Sequence, residues 1–427
     1  MKKRFAICST IVLLLLLSAC GAPQTLDFSY APEGEELSSL MVETSQTHRA
    51  ELEHVPSAAD FADAISDDPA SAGLLSESEV ESLLRGHAAM ETVSKEQAQS
   101  DVSLLFRALQ SAYGAYEYFG QEKFDAAEDA VTQWLSSQDD EIKVSALGEK
   151  LQESLVFMLA HDAHAVIYEP AAEEIEAQVR YEYFFADGFY FSKNVNGSYY
   201  MVNDGERWTL SSFSDEHVSV QPTLLQDGRI VYQPTLFALR KDAVQSSVTL
   251  KKSSGKAKIY RLDWTESQPL DVDLGTLDYR LIQEDGLTYV SLRSLVSGTY
   301  DNMLARYARE GAKARGSKAV IYDLRGNVGG SDSWPRKWIQ SFLGTQNSIE
   351  TSMLYAQKNS ALFAAENSES LLPEDEGTCF AREVHGTWYE NDIPIIVLVD
   401  DHCGSSGEGA VQLLKTLDNV LIVGSNT

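Results

Sequence analysis

The sequence predicts an α/β core towards its C-terminal end, preceded by a helical region and a β-rich module. Three observations carry this expectation. An apolar run, Ile393 to Val399, stops at Asp400-Asp401 and turns through His402-Cys403-Gly404-Ser405-Ser406-Gly407-Glu408 into the helical pattern Ala410-Val411-Gln412-Leu413-Leu414. A second buried run, Lys318 to Tyr322, ends in the glycine turn Asp323-Leu324-Arg325-Gly326-Asn327-Val328-Gly329-Gly330. Around both, strand-like and helix-like segments alternate, which is the pattern of βα units with largely parallel pairing.

At the N-terminus, Lys2, Lys3 and Arg4 precede an apolar stretch, Phe5 to Leu17, that ends in Leu17-Ser18-Ala19-Cys20-Gly21. That is the layout of a secretory signal peptide over residues 1–19, too short in its apolar part to span a membrane comfortably. Residues 20–60 are rich in Ser, Glu, Thr, Ala and Pro with little apolar periodicity, and are expected to form a flexible acidic spacer. Over residues 61–170 the pattern is helical. Ser76-Glu77-Ser78-Glu79 and the capping-box pattern Ser94-Lys95-Glu96-Gln97 each open a helix, Gly120 is a stop, and Phe124–Leu135 and Ser145–Leu159 continue the series.

Residues 171–275 change texture. Alternating segments such as Ser198-Tyr199-Tyr200-Met201-Val202 and Ser247-Val248-Thr249-Leu250-Lys251, punctuated by Asn-Gly, Asp-Gly and Ser-Gly turns, predict a β-rich module. Residues 276–427 then carry the core. Tyr289–Leu295 reads as a strand, Asp301–Ala314 as a helix, Ala319–Tyr322 as a buried strand and Trp338–Leu343 as a helix; Ile393–Val399 and Val420–Val423 are further strands. No segment after the signal has the roughly 18 uninterrupted apolar residues of a transmembrane helix.

Acidic residues outnumber basic ones 64 to 34, a formal net charge of −30. That argues against nucleic acid or an anionic lipid surface as ligand, and is compatible with a solvated protein and with basic substrates. The length suits two or three domains with ample core. Of four cysteines, Cys8 lies in the signal and Cys20 at its end, leaving Cys379 and Cys403, whose pairing spacing alone does not decide.

Ser405 is the first residue with chemistry. At a strand-to-helix turn a serine either caps the helix or stands out of the sheet as a nucleophile beside the helix's free N–H groups. Gly404 and Gly407 leave its hydroxyl uncrowded; Ser406 is the adjacent alternative, and its N–H is a candidate oxyanion donor. Gly329 and Gly330 either close a βα loop or bring side-chain-free N–H groups to an oxyanion. Cys403 is a further candidate nucleophile with no evident activator nearby. The glycine patterns of phosphate-binding loops are missing.

A serine nucleophile needs a base. His48 lies in the spacer and His54 at its edge, His87 in a polar helical stretch, and His217 and His385 in polar loops; His402 is three residues from Ser405. His161 and His164 are better placed, where an apolar helix is expected to pass into an apolar strand. They read as a general base, as a metal pair, or as a satisfied histidine at a helix end. No glutamate signature of a metallopeptidase accompanies them, so neither metal nor cofactor is expected.

These residues together resemble the C-terminal processing (tail-specific) serine protease superfamily, which includes the tricorn and interphotoreceptor retinoid-binding protein branches. Its Asp-Leu-Arg-x-Asn-x-Gly-Gly block is matched from Asp323 to Gly330, and its Ser-Ala-Gly-Glu turn by Ser405-Ser406-Gly407-Glu408, with Ser406 in place of alanine. Its Gly-x-x-Thr block looks like Gly424-Ser425-Asn426-Thr427, and its Asp-x-His looks like Asp162-Ala163-His164. The resemblance covers Leu287–Thr427 and, more loosely, Lys95–Ile167. It implies a ClpP/crotonase-like mixed sheet with helices, Ser405 as nucleophile, His164 as base, and N–H groups of Gly329, Gly330 and Ser406 as the oxyanion hole. The β-rich module stands where many relatives carry a PDZ-like domain, without a clear Gly-Leu-Gly-type carboxylate-binding loop. Relatives continue beyond the position of Thr427, where a lysine or a histidine-orienting glutamate would fall, so the core is expected to be incomplete. Leu-Ser-Ala-Cys resembles a bacterial lipobox, which implies a lipidated Cys20.

The expected function is an extracytoplasmic, membrane-anchored serine endopeptidase acting on a peptide or protein. Its expected partners are that substrate and the membrane through the Cys20 anchor, with no nucleic acid. A catalytically inactive, protease-like lipoprotein that binds peptides or cell-envelope partners is the alternative from another class, and a hydrolase with a metal at His161 and His164 is the third.

Overall fold

A computed structural model describes residues 37–427 apart from 66, 86–89, 163, 168–180, 187, 204, 226–228, 240–245, 267–278, 299–300 and 426. The expected signal peptide, Cys20 and the first part of the expected spacer lie outside the described residues. So do His87 and Ala163. Two compact units are distinguished: the residues up to Leu40 with Glu182–Leu270, and Met41–Tyr181 together with Asp271–Thr427.

The first described element corrects the sequence reading. Residues 37–53, expected within a flexible spacer, form helix α1 (Leu37–Glu53). Met41, Ser45, His48 and Leu52 are buried on it, a spacing of three to four residues that lays one face down. That face docks through Ser45 Oγ, which accepts the Asn419 N–H at 2.9 Å, through the Leu52 carbonyl, which accepts from Ser352 Oγ, and through a Glu51–Lys415 ion pair. The stripe is short and interrupted by polar residues, so composition hid it.

Helix α2 (Glu77–Arg85) is opened by a capping box: Ser76 Oγ accepts the Glu79 N–H at 3.3 Å, and Glu79 accepts the Ser76 N–H at 2.8 Å. Strand β1 (Thr92–Ser94) leads into α3 (Lys95–Ala112), where Ser94 Oγ caps the Gln97 N–H at 3.1 Å. Next come α4 (Tyr116–Phe119), which ends at Gly120 with φ 90°, and α5 (Gln121–Ser136). Strand β2 (Glu141–Lys143) pairs antiparallel with β1, and α6 (Val144–Ser154) and α7 (Val156–Leu159) follow. Val102 and Phe106 on α3 meet Phe124, Val131 and Leu135 on α5 in one apolar cluster. Beyond α7 the expected apolar strand is not found among the described residues 164–167. The Asp162 carboxylate accepts the His164 N–H at 3.0 Å, closing a local turn that diverts the chain.

The β-rich unit contains β3 (Tyr181–Ala186), β4 (Ser192–Lys193), β5 (Tyr199–Asn203), β6 (Glu206–Phe213) and β7 (Val218–Leu224). It continues with β8 (Ile230–Leu239), β9 (Ser246–Lys251), β10 (Ala257–Leu262) and β11 (Trp264–Glu266). The strands form two sheets, ordered β10-β9-β6-β5-β4 and β11-β3-β8-β7, with antiparallel pairing throughout the first and between β11 and β3 and between β8 and β7 in the second. Alternate residues such as Met201, Trp208, Val248 and Leu250 from one sheet, and Tyr232 and Leu236 from the other, join one core. No helix occurs among the described residues of Glu182–Leu270.

The core begins with β12 (Arg280–Glu284) and β13 (Leu287–Ser291), an antiparallel pair, then α8 (Asp301–Ala314), β14 (Ala319–Asp323) and α9 (Ser333–Leu343). A second antiparallel pair, β15 (Met353–Lys358) and β16 (Cys379–Val384), is joined through α10 (Ala361–Glu366). β17 (Ile395–Val399), α11 (Ser406–Leu414) and β18 (Val420–Gly424) complete it. The central sheet runs β12-β13-β14-β17-β18, parallel from β13 onward. Helix α9 packs against both α8 and α11, with Trp338, Tyr307 and Tyr322 fully buried beneath. Where α8 meets α9 the backbones nearly touch: a Cβ on Gly311 would lie 2.3 Å from the Trp338 carbonyl oxygen. Register matters most. Asp323, the last residue of β14, stands beside Leu398 of β17, so the two glycine turns leave the same end of adjacent parallel strands. The carboxyl ends of parallel strands are where open α/β sheets bind their ligands.

Candidate active site

Asp323 anchors the first turn. Its fully buried carboxylate takes a two-pronged hydrogen bond from Arg325, both contacts at 2.8 Å, one from Arg293 at 3.1 Å and one from Tyr289 at 2.7 Å. Burial alone would raise its pKa, but the donors from Arg325, Arg293 and Tyr289 outweigh it and hold the carboxyl well below the usual range. This accounts physically for an Asp-Leu-Arg sequence: the arginine folds back on the aspartate two residues earlier.

Asn327 joins the two turns. Its carbonyl accepts the Gly404 N–H at 2.9 Å, its side-chain oxygen accepts the Gly329 N–H at 2.9 Å, and its amide donates to Leu292 O at 2.8 Å. Asp400 ties them a second time, accepting the Gly326 N–H at 2.8 Å. Sequence reading had given neither residue a role. Their signal was present in the blocks around them, but bonds between segments more than seventy residues apart are set by the fold.

Ser405 has φ 53° and ψ −120°, a conformation that L-residues with a side chain rarely adopt and that costs about 1–3 kcal/mol. Its side chain makes no cap hydrogen bond to α11, so the capping alternative is not the role it plays. The strained turn at a strand end directs an exposed hydroxyl off the sheet, as at a nucleophile elbow. Ser406, the other serine, is buried in the first turn of α11. Cys403 is fully buried, and burial, with Asp400 and Glu408 nearby, pushes its thiol up to about 12. That is the opposite of an activated nucleophile. Cys403 and Cys379 are both free thiols.

Gly329 and Gly330 differ in what their backbones are free to do. A Cβ on Gly329 would lie 2.7 Å from Ser405 Cβ and 3.1 Å from Ser406 N, so only glycine fits against the serine. Its own N–H, however, is taken by Asn327. The N–H groups of Gly330 and Ser406 have no protein acceptor among the described residues. Gly330, with φ 140°, sits against the Leu295–Val296 backbone, and exposed Val296 and Val328 flank the turn with apolar surface.

His164 stands exposed on the turn after α7, its backbone held by Asp162, whose other oxygen accepts the Tyr113 hydroxyl at 2.9 Å. No hydrogen bond joins the His164 ring to Ser405 among the described residues. His161 lines a separate aromatic cavity with Tyr113, Phe119 and Phe157. Neither histidine belongs to a cluster of three potential metal ligands among the described residues. His402 pairs with its neighbour Asp401 at 3.0 Å, and His48 is buried on α1 rather than lying in a spacer.

The comparisons with known proteins bear on this arrangement. Residues 286–427, the span that contains both turns, match the family model of peptidase family S41. That segment belongs to the S41, C-terminal processing protease, family. The S41 assignment supports a serine peptidase in general. Among solved structures, the photosystem II D1 C-terminal processing protease is similar at 12% identity and a TM-score of 0.29, covering 77% of this chain and 80% of that one. A lipoprotein from Streptococcus agalactiae is similar at 12% identity and a TM-score of 0.28, covering 79% of this chain and 78% of that one. No curated protein matches the chain.

Proposed function

We propose that this S41 protein is an extracytoplasmic serine endopeptidase, held at a membrane by lipid on Cys20. In this reading Ser405 Oγ attacks the carbonyl carbon of a peptide bond while His164 takes its proton. The oxyanion accepts from the N–H groups of Gly330 and Ser406, which have no protein acceptor among the described residues and lie on the turn packed against Ser405 through Gly329 and in the residue after it. Collapse of the tetrahedral intermediate releases the amine, which receives the proton from His164. Water then hydrolyses the acyl-enzyme by the same steps. The ClpP/crotonase-like character of the core belongs to the same reading, supported by a mostly parallel sheet with α9 packed between α8 and α11.

One observation carries the proposal: Ser405 holds a strained, left-handed turn at a helix N-terminus with its hydroxyl free of any cap bond. His164 rests on the resemblance of Asp162-Ala163-His164 and on an exposed imidazole. The test is a fluorophosphonate probe on the purified chain. Labelling is expected on Ser405, abolished by Ser405→Ala and greatly slowed by His164→Ala. Labelling that survives Ser405→Ala would sink the assignment.

A further inference from the structure

A cavity of 720 Å³ opens between α8 and α9, with Arg309, Arg315 and Lys337 on its walls, Trp334 at one side and Gln340 at the other. No acidic residue lines it. In a chain with 64 acidic and 34 basic residues, three cations meeting without an acid is the reverse of the average surface. Exposed cations standing alone are common, so the walls decide the matter.

Those walls are fixed. Arg315 donates to Phe342 O at 3.0 Å and also to Ser341 O, closing the C-terminus of α9 and lying over Gly344. That is a sufficient structural role for one of the three. It also neutralises the negative end of the helix, which would otherwise repel an anion. Arg309 and Lys337 have no such role: neither makes an ion pair with an acid among the described residues. Lys337 instead stands 4.4 Å from the centroid of the Trp334 ring. That indole is itself held by a bond from its N–H to Ser297 Oγ at 2.9 Å, and Gln340 is held by Asn347 O at 2.8 Å. The cavity therefore offers two cations without an acidic partner among the described residues and the remaining donors of a third, with Trp334 and Ala308 giving an apolar side.

We propose that this cavity is a binding site for a phosphate group carried on a small organic body. A phosphate presents enough oxygens and charge for a guanidinium fork and an ammonium at once. The cavity is far larger than a bare ion, which leaves room for the ester's carbon portion against Trp334. The phosphate belongs either to a soluble phosphate ester or to a lipid headgroup. The site is independent of the peptidase reading and stands or falls without it.

Calorimetry on the full chain with inorganic phosphate, glycerol 1-phosphate and dihexanoyl-phosphatidylglycerol below its micellar concentration separates the sources. Saturable binding of at least one, weakening as salt rises, is expected. Tighter binding of glycerol 1-phosphate identifies a soluble ester, and tighter binding of the short-chain lipid identifies a headgroup. Arg309→Ala with Lys337→Ala, both exposed positions, is expected to weaken binding by about tenfold or more. Gln340→Glu, which places an acid in the cavity, should do likewise, while Lys337→Arg retains binding. No saturable binding of any of the three, or equal affinity in the double variant, overturns the proposal.

Discussion

Gly329 and Ser405 are packed so closely that a Cβ on the glycine would lie 2.7 Å from the serine's Cβ. The residues are 76 positions apart in sequence, yet each is shaped by the other: the glycine by its φ of 98°, the serine by its φ of 53°. The contact exists because β14 and β17 are parallel neighbours, with the last residue of β14, Asp323, beside Leu398 near the end of β17.

Gly329→Ala is accordingly expected to damage the site before it damages the fold. The added methyl meets Ser405 Cβ and the Gly404 carbonyl at 2.9 Å, and alanine disfavours the glycine's φ. A loss of about 2–4 kcal/mol in stability is expected, together with loss of fluorophosphonate labelling. Near-normal labelling in a folded Gly329→Ala variant would refute the close packing.

Asp323→Ala removes the acceptor of both Arg325 and Arg293 in a fully buried position. Removing one partner from a buried ion network leaves the others uncompensated, at about 3–5 kcal/mol. Urea unfolding of the variant measures it. Its pKa is depressed in the folded state, so the stability this carboxylate contributes is present above its unfolded pKa and is lost as pH falls below it.

His48 supplies a second pH dependence of recognisable shape. Burial first, then the charge of Lys415, lower its pKa from 6.5 to about 4, with Glu51 opposing. Between those values the unfolded chain binds a proton that the folded chain refuses. Its contribution is therefore complete above about pH 6.5 and declines as pH falls towards 4, by about 3 kcal/mol at most. His48→Gln should flatten the melting temperature profile across that window; an unchanged profile would show that His48 titrates normally.

Cys403 should resist alkylation in the folded protein. It is fully buried with a thiol pKa of about 12, whereas Cys379 is partly exposed. Iodoacetamide is expected to modify Cys379 first and Cys403 only after unfolding, as peptide mass analysis would reveal. Comparable rates at the two would contradict the packing around the turn.

The turn chemistry was legible because it depends on local residue types. Glycine is needed where φ is positive, apolar runs mark buried strands, and Ser76 and Ser94 announce the helix starts that they cap. Helix α1 was missed because five buried residues in seventeen, two of them polar, make too sparse an apolar stripe to outweigh a polar composition. Among the described residues 164–167 the strand expected after α7 is not found for the opposite reason, since the apolar run there follows the turn that Asp162 closes.

By itself the sequence determined the α/β alternation, the two glycine turns and the serine at the second of them. These follow from periodicity and from the backbone freedom of glycine, which are local properties. Tertiary structure alone decided which groups the site has to spare. The N–H of Gly329 goes to Asn327, those of Gly330 and Ser406 have no acceptor among the described residues, and Asp400 and Asn327 fasten one turn to the other. A hydrogen-bond donor can be used only once within a site, and which donors are used depends on strand order and register. Residue types along the chain do not encode that separately from the fold they produce.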